Sequence, residues 1–365
     1  MLVRRAELGE LQPAFSVDAH VCTQCGLIEV PREMPQDFFL RHLRLAPPSS
    51  DSAQVRRALS SILGTVGAGD LIVNFIDTVG RDVAIRHGAA DHAAPQNGLW
   101  QDVPIARFGP SLAREMIGQV GAAKVLLCRH LLERVNDLHE FMEGVARLLA
   151  PGGVLIVETA WAREVLRQNG FNRLSAEHIS IFSVLSLVRL CAFFDLAVLD
   201  VRHLSANGGV LRVQIRQLGE EMHPSVQATI AQELAAGCLE PATYDDFAAR
   251  VFDIRDELLS ILWQIKAQGL RLAGFGACED GHALLNFCGI GRMEVEFLAD
   301  PDPAKLETFS PGMKIPIRPI SAIATERPDL LMVLADDPRL AQHGIGALRQ
   351  PLRLLRPLPV PTFVN

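Results

Sequence analysis

Tyrosine is almost absent from this chain: among 365 residues there is one, Tyr244. Chemistry that needs a pair of phenols is therefore excluded. No basic stretch is long enough to track a phosphate backbone. Acidic residues outnumber basic ones, 42 to 35, for a formal net charge of -7. Nucleic acid is excluded as an expected partner. Long apolar runs are missing as well. The nearest approach, "ISIFSVLSLVRLCAFFDLAVLDV", is broken by Arg189 and Asp195, and what remains uninterrupted is too short to span a bilayer. It reads as a buried helix followed by a strand, and no membrane association is expected. The opening "MLVRRAELGE" lacks the apolar region of a secretory signal, so a cytoplasmic location is expected. Of the seven cysteines, Cys128, Cys191, Cys238, Cys278 and Cys288 stand scattered in apolar surroundings. That spacing suits reduced thiols better than a disulfide framework. Neither an internal repeat nor a low-complexity tract is present.

The composition that remains is that of a globular protein, 49% hydrophobic and 21% charged. Its length exceeds what one hydrophobic core usually serves, so two domains, or one with appendages, are expected. Residues 1–50 are mixed and end in the loop-like "APPSSDS". Alternation of helix and strand then begins. "VRRALSSILGTV" is amphipathic, and "DLIVNFI" and "AAKVLLC" are apolar runs of the buried parallel-strand type. "LHEFMEGVARLLA" has apolar residues at helical spacing, "PGG" stops it, and "VLIVETA" starts another strand. After a helix at 183–194, "LAVLDVRHL" and "GGVLRVQIRQ" alternate and are joined by a glycine turn, which predicts an antiparallel pair. A long amphipathic helix follows, with Phe247, Val251, Ile254, Leu258, Ile261 and Ile265 on one face. From Gly269 a second α/β unit begins: strand "LRLAGFG", helix "GHALLNFCGI", strand "VEFLAD".

Several of these segments resemble one family, the S-adenosylmethionine (SAM)-dependent C-methyltransferases of nucleotide-linked deoxysugars. The likeness rests on "CTQCGLIEVP", "DLHEFMEGVARLLAPGGVLIVE", "EHISIFSVLSLVRL", "NGGVLRV", "AGFGACEDGHALLNFCGI" and "ADPDPAKLETFSPGMKIPI", and it covers nearly the whole chain. It implies an α/β fold, a class I methyltransferase (Rossmann-like) domain followed by a smaller Rossmann-like C-terminal domain. Residues 1–50 would be a truncated remnant of a zinc-binding domain and 51–218 the methyltransferase-like domain. Residues 219–268 would be a helical connector and 269–365 the C-terminal domain. Glu177 and His178 would be catalytic, Asn74, Asp77 and Gly80 would meet SAM, and Asn207, Gly208 and Gly209 would meet the substrate, a nucleotide sugar.

This chain departs from the family pattern at three places. The family's zinc site resembles two Cys-x-x-Cys pairs. Only Cys22 and Cys25 stand here, too few for a structural site, and His20 is badly offset to add a ligand, so no metal is expected. In "NFIDTVG" the family's acidic position is Asn74 and its critical glycine is Ile76, whose branched side chain would fill space the cofactor needs. No convincing second strand ending in an acid follows in "RDVAIRHGAADHAAPQNG". Third, the family's Tyr-His-Glu-His becomes Ser175, Ala176, Glu177 and His178, and a second tyrosine expected near "HLRLAPPSS" is missing. His178 still suits removal of a proton from carbon beside a ketone. Its ordinary alternative is a histidine that fixes a helix start by hydrogen bonding. Three readings follow: a C-methyltransferase, a non-catalytic relative that serves a protein partner, and an isomerase that uses His178 without SAM. "GFGACEDG" misses the dinucleotide spacing, although Asp300 ends the next strand; a Rossmann-like unit without its own dinucleotide is expected.

Overall fold

Two apolar runs, 70–76 and 123–129, are buried on both faces and can only be interior parallel strands. The computed structural model builds the fold around them and describes residues 2–10, 16–31, 69–76, 98–175, 178–204, 209–335 and 352–364. A short hairpin comes first, β1 (His20–Val21) with β2 (Ile28–Glu29). Strand β3 (Asp70–Ile76) pairs parallel with β4 (Gly98–Pro104) over its whole length. Helix α1 (Pro110–Val120), β5 (Ala123–Arg129), α2 (Leu138–Leu148), β6 (Leu149–Ala160) and α3 (Ala162–Arg167) follow. Then come β7 (Ser180–Ile181), α4 (Val184–Ala192), β8 (Leu196–Leu204) and β9 (Val210–Gln217). The sheet order is β4-β3-β5-β6-β9-β8. Its first four strands are parallel, and β9 and β8 close it as the expected antiparallel pair. A mostly parallel sheet ending in such a pair is the class I methyltransferase arrangement.

Helix α2 shows how local sequence builds this unit. Asp137 caps it by accepting from the Glu140 N–H at 2.8 Å, and Phe141, Met142, Val145 and Leu148 form its buried stripe. The helix stops at Leu148, short of the Pro-Gly-Gly expected to end it. The next strand, however, already begins at Leu149, so Pro151-Gly152-Gly153 lie within it and not before it. The pairing with β5 shifts register there, between Ala123 and Val125. Phe75, Phe108 and Phe141 meet edge to face with centroids 4.6–5.5 Å apart, locking β3 to α2.

Helices α5 (Pro224–Ala235) and α6 (Pro241–Ala267) lead to a second sheet. The inward stripe of α6 uses Leu262 where the spacing had pointed to Ile261. The second unit comprises β10 (Leu272–Phe275), α7 (Glu279–Cys288), β11 (Leu298–Asp300), β12 (Ile317–Pro319), α8 (Ser321–Glu326), β13 (Leu330–Val333), β14 (Arg353–Arg356) and β15 (Thr362–Val364). Its order is β12-β11-β10-β13-β14-β15, parallel except for β15. Leu166 and Phe171 from the first unit share one apolar cluster with Leu258 of α6 and Leu284 and Leu298 of the second unit.

The segment read as a zinc-domain remnant does not stay together. Residues 3–10 bind the second unit, through Val3 paired with Phe309 and the Lys314 ammonium donating to the Leu8 carbonyl at 2.6 Å. The β1–β2 hairpin joins β7 instead, in a three-stranded sheet β1-β2-β7. The amphipathic run 55–66 lies outside the described residues. No helix among the described residues is long and apolar enough to cross a membrane.

Close packing makes one substitution informative. A Cβ on Gly144, in the middle of α2, would stand 2.9 Å from the Gly109 carbonyl carbon and 2.9 Å from the Phe108 ring. Backbone cannot yield as a flexible side chain would. Gly144→Ala is expected to destabilise the protein by about 1–3 kcal/mol, read as a lower urea midpoint at unchanged slope.

Candidate functional site

In a sheet of this order the connections diverge between β3 and β5, and ligands sit outside the carboxyl ends of the strands at that point. The rim there carries Asn74 and Ile76 of β3, Asp102 of β4, and Arg129 and His130 at and after β5. Among the described residues the strand that follows β3 is β4, and it brings an acid, Asp102. Asn74 and Asp102 stand in register, and the Asn74 amide donates to Asp102 Oδ1 at 3.0 Å. Ile76 ends β3 half-buried and opposite Pro104. Asp77 and Gly80 lie outside the described residues.

Next along the rim, three charges form a row across the sheet. Glu158 on β6 is buried, with Arg129 at 2.6 Å on one side and Arg212 of β9 at 2.6 Å on the other. Burial alone would raise this carboxyl, but the two guanidinium groups outweigh it and hold it below its ordinary range. His130 follows with a left-handed backbone (φ 53) and donates its N–H to the Glu158 carbonyl at 2.7 Å. A non-glycine residue held at positive φ on a ligand-side rim is the sort of strain functional sites carry.

His178 lies over this same rim. Its neighbour Ile179 donates to the Glu133 carbonyl at 2.8 Å, and Val30 after β2 donates to the Ile179 carbonyl at 2.9 Å. The His178 ring is half-buried, and its Nδ1 is 3.2 Å from the Arg173 carbonyl. A carbonyl only accepts, so Nδ1 carries the hydrogen and Nε2 keeps the lone pair. Burial lowers this imidazole from its ordinary value, Arg134 and Arg173 lower it further, and Glu133 and Glu279 oppose them. The surroundings are charged and span both units: Arg134 meets Glu279 of α7 at 2.5 Å, and Arg173 lies 3.9 Å from Asp280. Glu177, Asn207 and Gly208 are outside the described residues. Gly209 begins β9 at φ +94, and a Cβ there would stand 2.7 Å from Glu164 Cγ, so the close approach of this turn to α3 requires glycine. Trp161 bridges to Phe182, after the His178 segment, and Ala160 pairs with Val210, after Gly209.

The tyrosine positions are not replaced in kind. Ser175 receives the His178 backbone N–H, at 3.1 Å on its carbonyl and 3.3 Å on its hydroxyl. Tyr244 donates its hydroxyl to the Cys238 carbonyl at 2.7 Å and burial raises its pKa, so it serves the core. In the second unit, the loop after β10 is closed by its own side chains. Asp300, buried, accepts from Ala277 N–H at 2.7 Å and pairs with Lys305 at 3.2 Å, while Cys278 donates to the Leu334 carbonyl at 2.9 Å. The groups a dinucleotide would engage are spent within the protein.

Comparisons with known proteins now bear on this geometry. The family described as a methyltransferase domain matches residues 48–201, and the family described as a C-methyltransferase C-terminal domain matches residues 205–340. The C-methyltransferase NovU of Streptomyces niveus is 29% identical over 369 residues, spanning 96% of this chain and 88% of that protein. Over nearly its whole length the chain is thus similar to a C-methyltransferase. Among solved structures, a SAM-dependent methyltransferase from Methanosarcina mazei matches 44% of this chain and 98% of its own, at 13% identity and a TM-score of 0.29. The 1,6-didemethyltoxoflavin-N1-methyltransferase of Burkholderia thailandensis matches 55% and 100%, at 13% identity and a TM-score of 0.32.

Two groups follow from that kinship. Zinc does not fit: Cys22 and Cys25 share one tight turn, and no group of three or more His, Cys, Asp or Glu among the described residues could hold a metal ion. The Cys25 carbonyl instead accepts from the Ser183 hydroxyl at 2.6 Å, tying the turn to the start of α4. For SAM, the paired amide and exposed carboxylate of Asn74 and Asp102 are the donor and acceptor set that vicinal ribose hydroxyls require, and they sit at the divergence point.

One buried imidazole outside this rim sets an acid limit. His282 of α7 is pushed down to about 3 by burial, with Lys305 adding to the effect. The folded state keeps it neutral, whereas the unfolded chain binds a proton below the ordinary value of 6.5. Stability is therefore full above about pH 6.5 and falls between there and about pH 3, with a slope up to about 1.4 kcal/mol per pH unit for each such imidazole. His178, also lowered, adds to the same limb. His282→Gln is expected to flatten this dependence, measured by urea unfolding at pH 7 and pH 5.

Proposed function

We propose that the protein is a SAM-dependent C-methyltransferase that methylates carbon beside a ketone on a nucleotide-linked sugar, with His178 as the base. The observation that carries this reading is the fixed tautomer of His178: Nδ1 is committed to the Arg173 carbonyl, so Nε2 presents a lone pair at a half-buried, charge-lined position over the rim. Its lowered pKa keeps the ring neutral and ready to accept at pH 7. SAM, when bound, supplies an electrophilic methyl group. Asn74 and Asp102 would hold its ribose, the task the family resemblance gives to an acid after the second strand. His178 Nε2 removes the proton α to the carbonyl, and the resulting enolate carbon is the nucleophile toward that methyl. Glu177 would assist His178, and Asn207, Gly208 and Gly209 would line the sugar.

The absence of both tyrosines places the proton transfer on His178 and Glu177. His178→Asn is therefore expected to lower kcat by about 10²–10⁴-fold while leaving SAM affinity unchanged by calorimetry. The assay is methyl transfer from SAM to a nucleoside diphosphate 4-ketosugar, with deuterium wash-in at the α carbon read separately. Wild-type rates in the variant, or no heat of SAM binding to the wild type at millimolar concentration, would overturn the proposal. Asp102→Asn is expected to weaken SAM binding by about tenfold, the loss of charge-assisted hydrogen bonds to the ribose.

A further inference from the structure

Four glutamates are buried in the first unit and its flanking helix, and three of them have both carboxylate oxygens engaged. Glu158 binds Arg129 and Arg212, Glu164 binds Arg163, Arg167 and Gln168, and Glu233 accepts from Trp161 Nε1 and the Val184 and Leu185 N–H groups. Glu133 is the exception. It is 4% exposed, its Oε1 accepts from the Ala160 N–H at 2.8 Å, and its Oε2 is enclosed with no hydrogen-bond partner among the described residues. An enclosed carboxylate oxygen without a donor is costly, and such an orphan calls for an explanation.

The backbone says what stands beside it. The Glu133 carbonyl receives the Ile179 N–H at 2.8 Å, so the residue preceding that donor, His178, is anchored next to Glu133. We propose that Glu133 is a positioning residue for His178, its uncommitted oxygen reserved for the imidazolium that forms when His178 takes a proton. This rests on His178 acting as the base. The proton moves from the α carbon to Nε2, leaving the electron pair on the substrate enolate, and Glu133 keeps its charge throughout; no oxidant or further reactant is needed. Arg134 and Arg173 oppose the positive ring, which makes a buried counter-charge necessary. Glu279 of α7 helps but is committed to Arg134, Asp280 faces Arg173, and Glu29 on β2 lies across from Ser180 at the exposed side.

The test titrates the His178 ring by NMR in the full chain, its signal among 11 histidines assigned by its loss in His178→Asn. Glu133→Gln keeps the shape and the Ala160 hydrogen bond but removes the charge. The His178 pKa is expected to fall by about one pH unit, and kcat by about tenfold with KM unchanged. Glu133→Asp, which keeps the charge, is expected to restore most of both. An unmoved His178 pKa in Glu133→Gln would overturn the proposal whatever the activity does. If that variant loses cooperative unfolding, the wild type still decides: the Glu133 side-chain carboxyl carbon must show an inflection at the His178 pKa, and a flat signal there sinks the idea. Unimpaired methyl transfer by His178→Asn would instead remove the base reading while leaving the Glu133–His178 coupling measurable.

Discussion

Backbone hydrogen bonds that lay residues 178–183 along the rim of the central sheet hold the candidate site together. Ile179 donates to Glu133, Ala162 donates to Phe182 at 2.9 Å, and Val30 donates to Ile179. Each bond ties the segment to a different element: the turn after β5, the start of α3, and the N-terminal hairpin. Buried main-chain groups must be paired, so this segment cannot leave the rim without orphaning a donor or an acceptor in each of the three. The position of His178, the neighbourhood of Glu133 and the seat of the Cys22–Cys25 turn all depend on it. Ser183 then ends the segment by capping α4 reciprocally with Ser186, and Glu233 completes the cap from α5.

The two sheets are joined chiefly by apolar packing. The Arg134–Glu279 pair is partly solvated, with Glu279 37% exposed on its side chain, and such pairs contribute about 1 kcal/mol or less. Its weight is electrostatic: it places the second unit's acids where they act on His178. The second sheet has the strand order of a nucleotide-binding fold, yet Asp300, Cys278 and Lys305 close its crevice from within. Fold and function separate here, as they often do.

Two positions that depart from the family pattern are met by neighbouring residues in the structure. Asn74 stands where the resemblance expects an acid, and Asp102 arrives beside it from the next strand. Ser175 stands where it expects a phenol, and it holds the backbone of His178 instead. Tyr244 is drawn into the core and contributes nothing to the rim. A residue-by-residue comparison along the chain registers each change as a loss. In space, one is compensated and one redirected.

Periodicity determined a great deal about this protein. The apolar runs 70–76 and 123–129, the stripe of α2, the long helix from Pro241 and the antiparallel pair β8–β9 are all legible, because burial imposes periods of two and 3.6 on a sequence without reference to distant residues. His178 was also legible, through its motif. Strand β4 was not: "GLWQDVP" has poor strand propensity and pairs only because β3 offers it a full parallel edge. Likewise Leu262 displaced Ile261, since the turn of a long helix toward two neighbours is settled by packing. The tautomer of His178, the orphaned oxygen of Glu133 and the meeting of Arg134 with Glu279 were decided by tertiary structure alone. They join residues as far apart as 145 positions in the chain, and nothing local in a sequence records which carbonyl a ring nitrogen will face.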